Sequence, residues 1–451
     1  MAYNFIECDR DQMLLLPPSL REWVSEDDLA WFILDAVAQM DLTMFYKKYR
    51  EDGWGSAAYE PSMMVALLLY AYCVGERSSR KIEWFCQRDI GFRVISANQV
   101  PDYSTIARFR QENEKEIENL FVEVLKLCQV AGLVKVGIVA IDGTKIKANG
   151  SLAANRSLAR IEEEVRKMLK EAKTKDEAED KLYGENRRGD ELPEDMRKRG
   201  SRLERLKAAQ ERLKKEAQEA VAKQQAKIEA RKVREEAGEK MRGRKPKGAD
   251  TIVDGSAKAN ITDPESRIMK TRSGYVQGYN AQAVVTEGQI IVAAETTQQE
   301  NDVKQLNPMM EAAKKNLEAI GEKEQLGAVL ADAGYWSEDN EKAADPNGPE
   351  LYVATKKDWK QRKALNELPV PQGEMAKDLS ARDRMERKLL TQQGRDLYKK
   401  RGQTVEPIFG QIKSVRAIDR FLRRGLCACA SEWKLICATH NLLKLWRSCI
   451  A

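Results

Sequence analysis

The chain has 451 residues, of which 33% are charged and 42% hydrophobic, and its formal net charge is +6. This length is sufficient for two or three domains with a sizeable core. The modest positive charge permits a polyanionic partner without requiring one. The most apolar run, residues 63–74, is too short to cross a bilayer, and no signal peptide opens the sequence, so we expect a cytoplasmic protein.

Histidine and cysteine usage narrows the possible chemistry. His440 is the single histidine, so zinc sites built from several histidines are excluded, and its place in an apolar C-terminal helix predicts a structural role. The eight cysteines show no paired Cys-x-x-Cys spacing, which is typical of reduced thiols rather than of a disulfide framework. Acid–base or metal chemistry must therefore come from carboxylates.

Residues 1–130 are predicted to be helical. An apolar helix over residues 62–74 is followed by a helix that begins with basic residues, and then by a helix that Asp102 or Ser104 can cap. This order is typical of a helix-turn-helix DNA reader, and a plain helical bundle is the alternative. The side chains that would contact DNA are Arg77, Arg80, Lys81, Arg108 and Arg110.

Two predicted strands end in an aspartate. The apolar run 136–141 leads to Asp142, and the run 327–331 leads to Asp332, each with a glycine close behind. Between them, residues 275–285 and 289–296 form a predicted hairpin that a helix follows. Each aspartate is either a turn former or a metal ligand. If the first and fourth strands are neighbours, the two carboxylates lie close together.

Residues 150–250 differ from the rest of the core. They are dense in charged residues and poor in aromatic ones, and their apolar residues recur at helical spacing in two runs. This pattern predicts a long helical hairpin inserted into the second domain, with helices over about 155–235.

A third carboxylate, Glu406, lies among basic residues in a segment that is predicted to be helical. Gly402 is expected to end one helix and Thr404 to cap the next, which places Pro407 in a first turn. A solvated helix with a surface ion pair explains this segment equally well. Together with Asp142 and Asp332, however, it would make a site for Mg²⁺ or Mn²⁺, which prefer oxygen ligands.

These motifs resemble those of bacterial insertion-sequence DDE transposases, whose catalytic core is ribonuclease H-like. The resemblance rests on three segments: Val139-Ala-Ile-Asp142-Gly-Thr, Ala331-Asp332-Ala-Gly-Tyr, and Tyr398-x-x-Arg401…Glu406…Lys413. The family usually leaves three residues between the arginine and the glutamate of the third motif, whereas this chain has four. The resemblance covers nearly the whole chain.

The resemblance implies an α/β fold with a ribonuclease H-like mixed sheet, a helical DNA-binding domain at 1–130, and a catalytic domain at 131–451 that ends in a helical tail from 415. It implies that Asp142, Asp332 and Glu406 bind the Mg²⁺ or Mn²⁺ ions. It also implies that Tyr398, Arg401 and Lys413 contact transposon-end DNA. The expected activity is cleavage at the element's ends and joining to target DNA, by a homodimer in the DNA complex.

Three other readings are compatible with the same sequence. A non-catalytic DNA-binding protein could retain this scaffold, and a metal-dependent nuclease could use the same carboxylates without strand transfer. A coiled-coil structural protein would explain residues 150–250 but would leave the two strand-terminal aspartates without a role.

Overall fold

The computed structural model describes residues 19–49, 57–183, 194–237, 248, 257–271, 273–342, 348–373 and 379–450. The described N-terminal region is helical, as predicted. Its helices are α1 (Leu29–Ala38), α2 (Thr43–Tyr46), α3 (Pro61–Cys73), α4 (Ser79–Arg88), α5 (Ile90–Ile95), α6 (Tyr103–Glu112) and α7 (Glu114–Val130).

Side-chain caps explain where several of these helices begin. The Asp28 carboxylate caps α1, and the Glu60 carboxylate caps α3, where Pro61 occupies a first-turn position that needs no N–H. Asp102 accepts two backbone N–H groups at the start of α6, so Asp102, and not Ser104, is the cap of that helix. These starts are set locally and were therefore readable from the sequence.

The strands form one mixed sheet and one small ribbon. They are β1 (Ile138–Lys147), β2 (Asn155–Ser157), β3 (Lys258–Asn260), β4 (Arg267–Thr271), β5 (Gly274–Thr286), β6 (Ile291–Thr297), β7 (Ala328–Ala331) and β8 (Glu350–Val353). The order in the large sheet is β4-β5-β1-β7-β8, and β6 also pairs with β5. β5 runs antiparallel to β1, β4 and β6, whereas β7 runs parallel to β1 and β8.

β1 pairs with β7, so the condition stated for the first and fourth predicted strands is met, although the unpredicted β4 makes β7 the fifth strand of the observed sheet. Ile141 pairs with Ala331, so Asp142 and Asp332 follow at the same level of the sheet. β1 is longer than predicted, because it continues along β5 as far as Lys147 after β7 has ended. The residues beyond Asp142 therefore extend past the end of β7.

The remaining helices are α8 (Leu158–Tyr183), α9 (Glu194–Glu236), α10 (Leu306–Ala319), α11 (Glu338–Lys342), α12 (Asp358–Glu367), α13 (Ala381–Leu390), α14 (Gln392–Gly410) and α15 (Leu426–Ile450), with a π-helix at Gln411–Val415. The long helices α8 and α9 confirm the predicted hairpin. They pack on each other and on the β2–β3 ribbon through a small apolar cluster that includes Ile161, Leu206, Leu213 and Ala259.

The predicted helix break at Gly402 is wrong. α14 runs without interruption through Gly402, and the break occurs earlier, at Thr391, whose hydroxyl accepts the N–H of Gly394. Thr404 does not cap a helix, because its hydroxyl donates to the Lys400 carbonyl within α14. A single glycine costs a helix only about 1 kcal/mol, which tertiary packing readily outweighs.

Pro407 therefore lies inside α14 and not in a first turn. A proline has no N–H to donate to the carbonyl four residues earlier, which here is that of Gln403. The side-chain amide of Gln289 donates to this carbonyl at 3.2 Å, so a contact from the β5–β6 turn replaces the missing helical bond.

α15 joins the N-terminal helices to the sheet. It packs on α7, α3 and β6, and one continuous apolar core includes residues from α1 to α15. Its Asn441 exchanges two hydrogen bonds with the backbone of Ile291 in β6. His440 is buried and contacts the Gln289 carbonyl, and burial lowers its pKa to about 3, so it is neutral and structural as predicted.

Among the described helices, none has the length and apolarity needed to cross a membrane. The seven cysteines in the described residues are free thiols, in agreement with the expected reduced state.

A buried ion pair strengthens the contact between the N-terminal helices and α15. An Nη atom of Arg77 lies 2.8 Å from Glu432, and both side chains are almost fully buried. Glu432 also accepts the backbone N–H groups of Leu422 and Arg423, so it holds the loop before α15. Removing one partner of such a pair leaves the other charge buried and uncompensated.

Glu432→Gln is therefore expected to lower the free energy of unfolding by about 3 kcal/mol, as measured by urea denaturation. The matched control is Glu367→Gln, which removes a carboxylate from the exposed pair with Lys363 and should change stability by less than about 0.5 kcal/mol. Equal effects of the two substitutions would contradict a structural role for the buried pair.

Candidate active site

Asp142 and Asp332 form the centre of the candidate site. Asp332 follows the carboxyl end of β7, where sites are commonly built, and Asp142 is the β1 residue at the same level. β1 itself continues along β5 beyond Asp142. Asp142 accepts the N–H of Gly143 at 2.7 Å, and Asp332 accepts the N–H of Gly334 at 2.8 Å. The Asp332 carboxylate thus caps the turn that follows β7, whereas Asp142 lies within β1 and forms no turn. Both hydrogen bonds are compatible with metal binding, because ligating carboxylates are commonly hydrogen-bonded as well.

The electrostatics of Asp142 show that negative charge is concentrated here. Burial raises the pKa of Asp142 to about 7, and the neighbouring carboxylates of Asp332 and Asp302 add to this rise, whereas Arg401 opposes it. The ordinary pKa of an aspartate is about 3.9. The site therefore favours either a proton or a cation beside Asp142.

Arg401 supplies positive charge from α14. Its guanidinium lies 3.3 Å from Asp142 and 3.9 Å from Glu406, and its side chain is 6% exposed. Glu406 is largely exposed and also lies 3.4 Å from Arg362. Glu406 is thus connected to Asp142 through Arg401. Within the described residues, no three acidic, histidine or cysteine side chains lie close enough together to hold a metal ion.

Asp302, which the sequence reading missed, is a further carboxylate at this site. It precedes α10 and accepts hydrogen bonds from Asn280 at 2.6 Å and Gln282 at 2.7 Å, and Lys145 lies 3.4 Å away. A Cβ added at Gly143 would lie 2.9 Å from an oxygen of Asp302, so the glycine permits this close approach. The sequence feature that could have indicated a polar partner here is the pair of amide side chains, Asn280 and Gln282, within the otherwise apolar strand β5.

Tyr335 lies on the buried side of the site, close to its carboxylates. It is fully buried, and its hydroxyl donates to the side-chain oxygen of Gln282, which in turn holds Asp302. Burial and the carboxylates of Asp302, Asp142 and Asp332 raise its pKa, so it remains a neutral hydrogen-bond donor.

Three residues that the sequence assigns to transposon-end DNA occupy different environments. Arg401 belongs to the carboxylate cluster, and Tyr398 is 4% exposed inside α14, so neither is presented to DNA in this structure. Lys413 is half-buried on the π-helix and donates to the Lys145 carbonyl at 2.8 Å. Burial lowers the pKa of Lys413.

The expectation that Arg77 and Arg110 contact DNA is corrected by the structure. Arg77 pairs with Glu432 and donates to the Arg420 carbonyl at 2.7 Å. Arg110 donates to the Arg77 carbonyl at 2.9 Å and to the Ser79 hydroxyl, and both arginines are buried. Their guanidinium groups hold α4, α6 and the loop before α15 together.

The other basic residues of the N-terminal set are exposed. Arg80 and Lys81 lie at the start of α4, and Arg108 lies on α6. They belong to one basic and aromatic surface, on which Arg80 lies over the ring of Tyr103 and Arg88 over that of Trp84. We name it the α4–α6 surface and define it by Arg80, Lys81, Trp84, Arg88, Tyr103 and Arg108.

Two family models match this chain. Residues 18–112 match one described as "Transposase domain (DUF772)", and residues 372–446 match one described as "Transposase DDE domain". The first match includes the α4–α6 surface, and the second includes Arg401 and Glu406. Asp142 and Asp332 lie between the matched segments. Neither a curated protein nor a solved structure matches the chain.

The raised pKa of Asp142 has a measurable consequence in metal-free buffer. Between the unfolded pKa near 4 and the folded pKa of about 7, the folded state holds one proton more than the unfolded state. The free energy of unfolding should therefore fall as pH rises through this window, by up to about 1.4 kcal/mol per pH unit from this group. Asp142→Asn should lack this contribution.

The test is urea denaturation at pH 5, 6, 7 and 8 with a chelator present. The stability of Asp142→Asn relative to wild type should increase by about 2 kcal/mol from pH 5 to pH 7. Asp339→Asn, at an exposed position of α11, should follow the wild-type pH profile. A constant difference between Asp142→Asn and wild type would refute the raised pKa.

Proposed function

We propose that this chain, which belongs to the insertion-sequence DDE transposases, binds the ends of its own element, cleaves the DNA backbone there and joins the ends to target DNA. The observation that carries the proposal is the placement of Asp142 and Asp332 at the same level of two neighbouring parallel strands, with the Glu406 helix packed over them. This geometry suits chemistry at phosphorus, for which no histidine is required.

We also propose that the mixed sheet is the ribonuclease H-like core that the sequence motifs imply. Two features support this proposal: the aspartates come from β1 and β7, which are the first and fifth strands of the large sheet in chain order, and these strands are parallel and adjacent. The antiparallel β5 and β6 complete a compact α/β unit, into which α8 and α9 are inserted between β1 and β5.

The donor set fits a hard divalent cation such as Mg²⁺ or Mn²⁺. Asp142 and Asp332 present carboxylate oxygens from adjacent strands, and burial raises the pKa of Asp142, which a bound cation would lower again. These two residues would hold the ion. Glu406, the third proposed ligand, lies on α14 and is connected to Asp142 through Arg401 in this structure. When bound, such ions activate an attacking hydroxyl and stabilise the leaving oxygen. Arg401 offsets the charge of the carboxylates and orients Asp142.

The α4–α6 surface supports the proposed DNA binding. Exposed arginine and lysine side chains neutralise phosphates without reading sequence, and exposed aromatic rings beside them add contact area. In this arrangement Arg80, Lys81 and Arg108 would bind phosphates. The buried Arg77 and Arg110 would maintain the orientation of α4 and α6 instead.

Asp332→Asn tests the chemistry. If Asp332 holds a metal ion, cleavage of element-end DNA in Mg²⁺ should fall by at least about a hundredfold, while DNA binding stays close to wild type. Asp142→Asn and Glu406→Gln should behave in the same way. A double variant should be little worse than either single one, because the three residues act as a unit.

Strand cleavage and gel-shift binding should be measured on the same preparation, with Asp339→Asn as the matched control at an exposed position. If Asp332 serves only its turn, asparagine would replace it with little loss of cleavage. Substantial Mg²⁺-dependent cleavage by Asp332→Asn would end the proposed mechanism.

The double substitution Arg80→Gln and Arg108→Gln tests the α4–α6 surface. Loss of two phosphate contacts should weaken binding to duplex end DNA by about tenfold and reduce the slope of log K against log salt by about 2. The control is the double substitution Lys314→Gln and Lys315→Gln on α10, which removes the same charge from an exposed helix elsewhere. If both double variants lose affinity equally, the α4–α6 surface has no special role.

A further inference from the structure

A basic groove lies beyond the end of β7, where β1 continues alone along β5. It has a volume of about 710 Å³ and is lined by residues 147–152 after β1, by the β4–β5 hairpin, and by the loop that precedes α15. Lys147, Arg420 and Arg424 provide its positive charge. Arg420 and Arg424 are exposed. Arg424 Nε donates to the Asn149 carbonyl at 3.0 Å, which holds that guanidinium at the wall of the groove.

The groove lies farther along β1 than the candidate active site. Lys145 and Lys147 alternate along β1 beyond Asp142 and therefore lie on the same face of the strand, which is opposite to that of Asp142. Lys145 lies 3.4 Å from Asp302, and the Lys147 backbone forms a bridge with Arg420. Lys413 bonds to the Lys145 carbonyl. A row of cations thus leads from Asp302 to the groove, which it enters at Lys147.

The loop that carries the two arginines is held rigidly from behind. The buried Arg77 donates to the Arg420 carbonyl, and Asn149 donates to the Leu422 carbonyl at 2.7 Å. Glu432 accepts the next two backbone N–H groups. These bonds use backbone atoms of the loop. The Arg420 side chain can therefore be replaced without breaking them, and a preorganised loop loses little entropy on binding.

An aromatic ring lies at the same groove. Tyr275, at the start of β5, is 64% exposed although it is a large hydrophobic side chain. A cationic groove that tracks a backbone, combined with an exposed ring on which a base can stack, is the arrangement by which proteins bind single-stranded nucleic acid. Asp419, which precedes Arg420, is paired with Lys147 at 2.7 Å. Asp263 and Glu265 accept the backbone N–H groups of Gly425 and Leu426 at the far end of the same loop.

We propose that this groove binds one single strand of DNA, with phosphates on Arg420 and Arg424 and one base stacked on Tyr275. The inference rests on the proposed function, because the row of cations connects the groove to the site of DNA cleavage. It adds a second DNA contact to the α4–α6 surface, one that would hold a strand as it leaves the active site.

The test uses the full chain and a fluorescent oligothymidylate of about 15 nucleotides. The double substitution Arg420→Gln and Arg424→Gln should weaken binding about tenfold and reduce the salt slope by about 1.4. Tyr275→Ala should also weaken binding about tenfold but leave the salt slope unchanged, because it removes stacking and no charge. The Lys314→Gln and Lys315→Gln control should bind as wild type does. Thermal melting verifies that each variant is folded.

Several outcomes would overturn the inference. The inference is wrong if both groove variants bind the oligothymidylate with wild-type affinity. It is also wrong if the Lys314→Gln and Lys315→Gln control loses as much affinity as the groove variants do. A groove variant that loses affinity only for a duplex of the same length would contradict the choice of a single strand.

Cleavage of end DNA by wild type is measured in parallel. If wild type cleaves but the groove variants bind normally, only the groove fails. If wild type does not cleave but oligothymidylate binding depends on the groove, only the proposed function fails.

Discussion

The parallel pairing of β1 with β7 is the constraint on which the rest of the site depends. It places Asp142 and Asp332 at the same level of adjacent strands, so two like charges must coexist beside a buried tyrosine. Such a pair is unfavourable unless a cation or a proton accompanies it. Arg401 meets part of this requirement, and it comes from α14, which packs on β1 and β7.

Buried arginines in this protein position exposed ones. Arg77 is withdrawn from solvent to pair with Glu432, and through the Arg420 carbonyl it holds the loop that presents Arg420 and Arg424. Arg110 in turn bonds to the Arg77 carbonyl. The N-terminal helices are thus connected to the core by polar bonds as well as by the shared apolar core around α15. The segment before α4 and the loop before α15 are therefore joined through Arg77.

Much of the fold was predictable because its signals are local. Capping residues mark the helices of the N-terminal region, periodic apolar residues mark α8 and α9, and continuous apolar runs mark β1 and β7. Asp142 and Asp332 were identified for the same reason, because each follows such a run. The helix break predicted at Gly402 was wrong, because the cost of one glycine in a helix is small compared with the packing of α14 on the sheet.

The sequence by itself determined the order of the elements and the positions of Asp142 and Asp332 after apolar runs, because these follow from residue type and short-range periodicity. Only the tertiary structure decided which cations face solvent. Arg77 and Arg80 are three residues apart, yet Arg77, in the segment before α4, is buried against Glu432, whereas Arg80, in the first turn of α4, is exposed. Asp302 could not be assigned to the site from the sequence for a similar reason. Its hydrogen-bond partners Asn280 and Gln282 lie on a different strand, and such contacts between distant segments have no local signature.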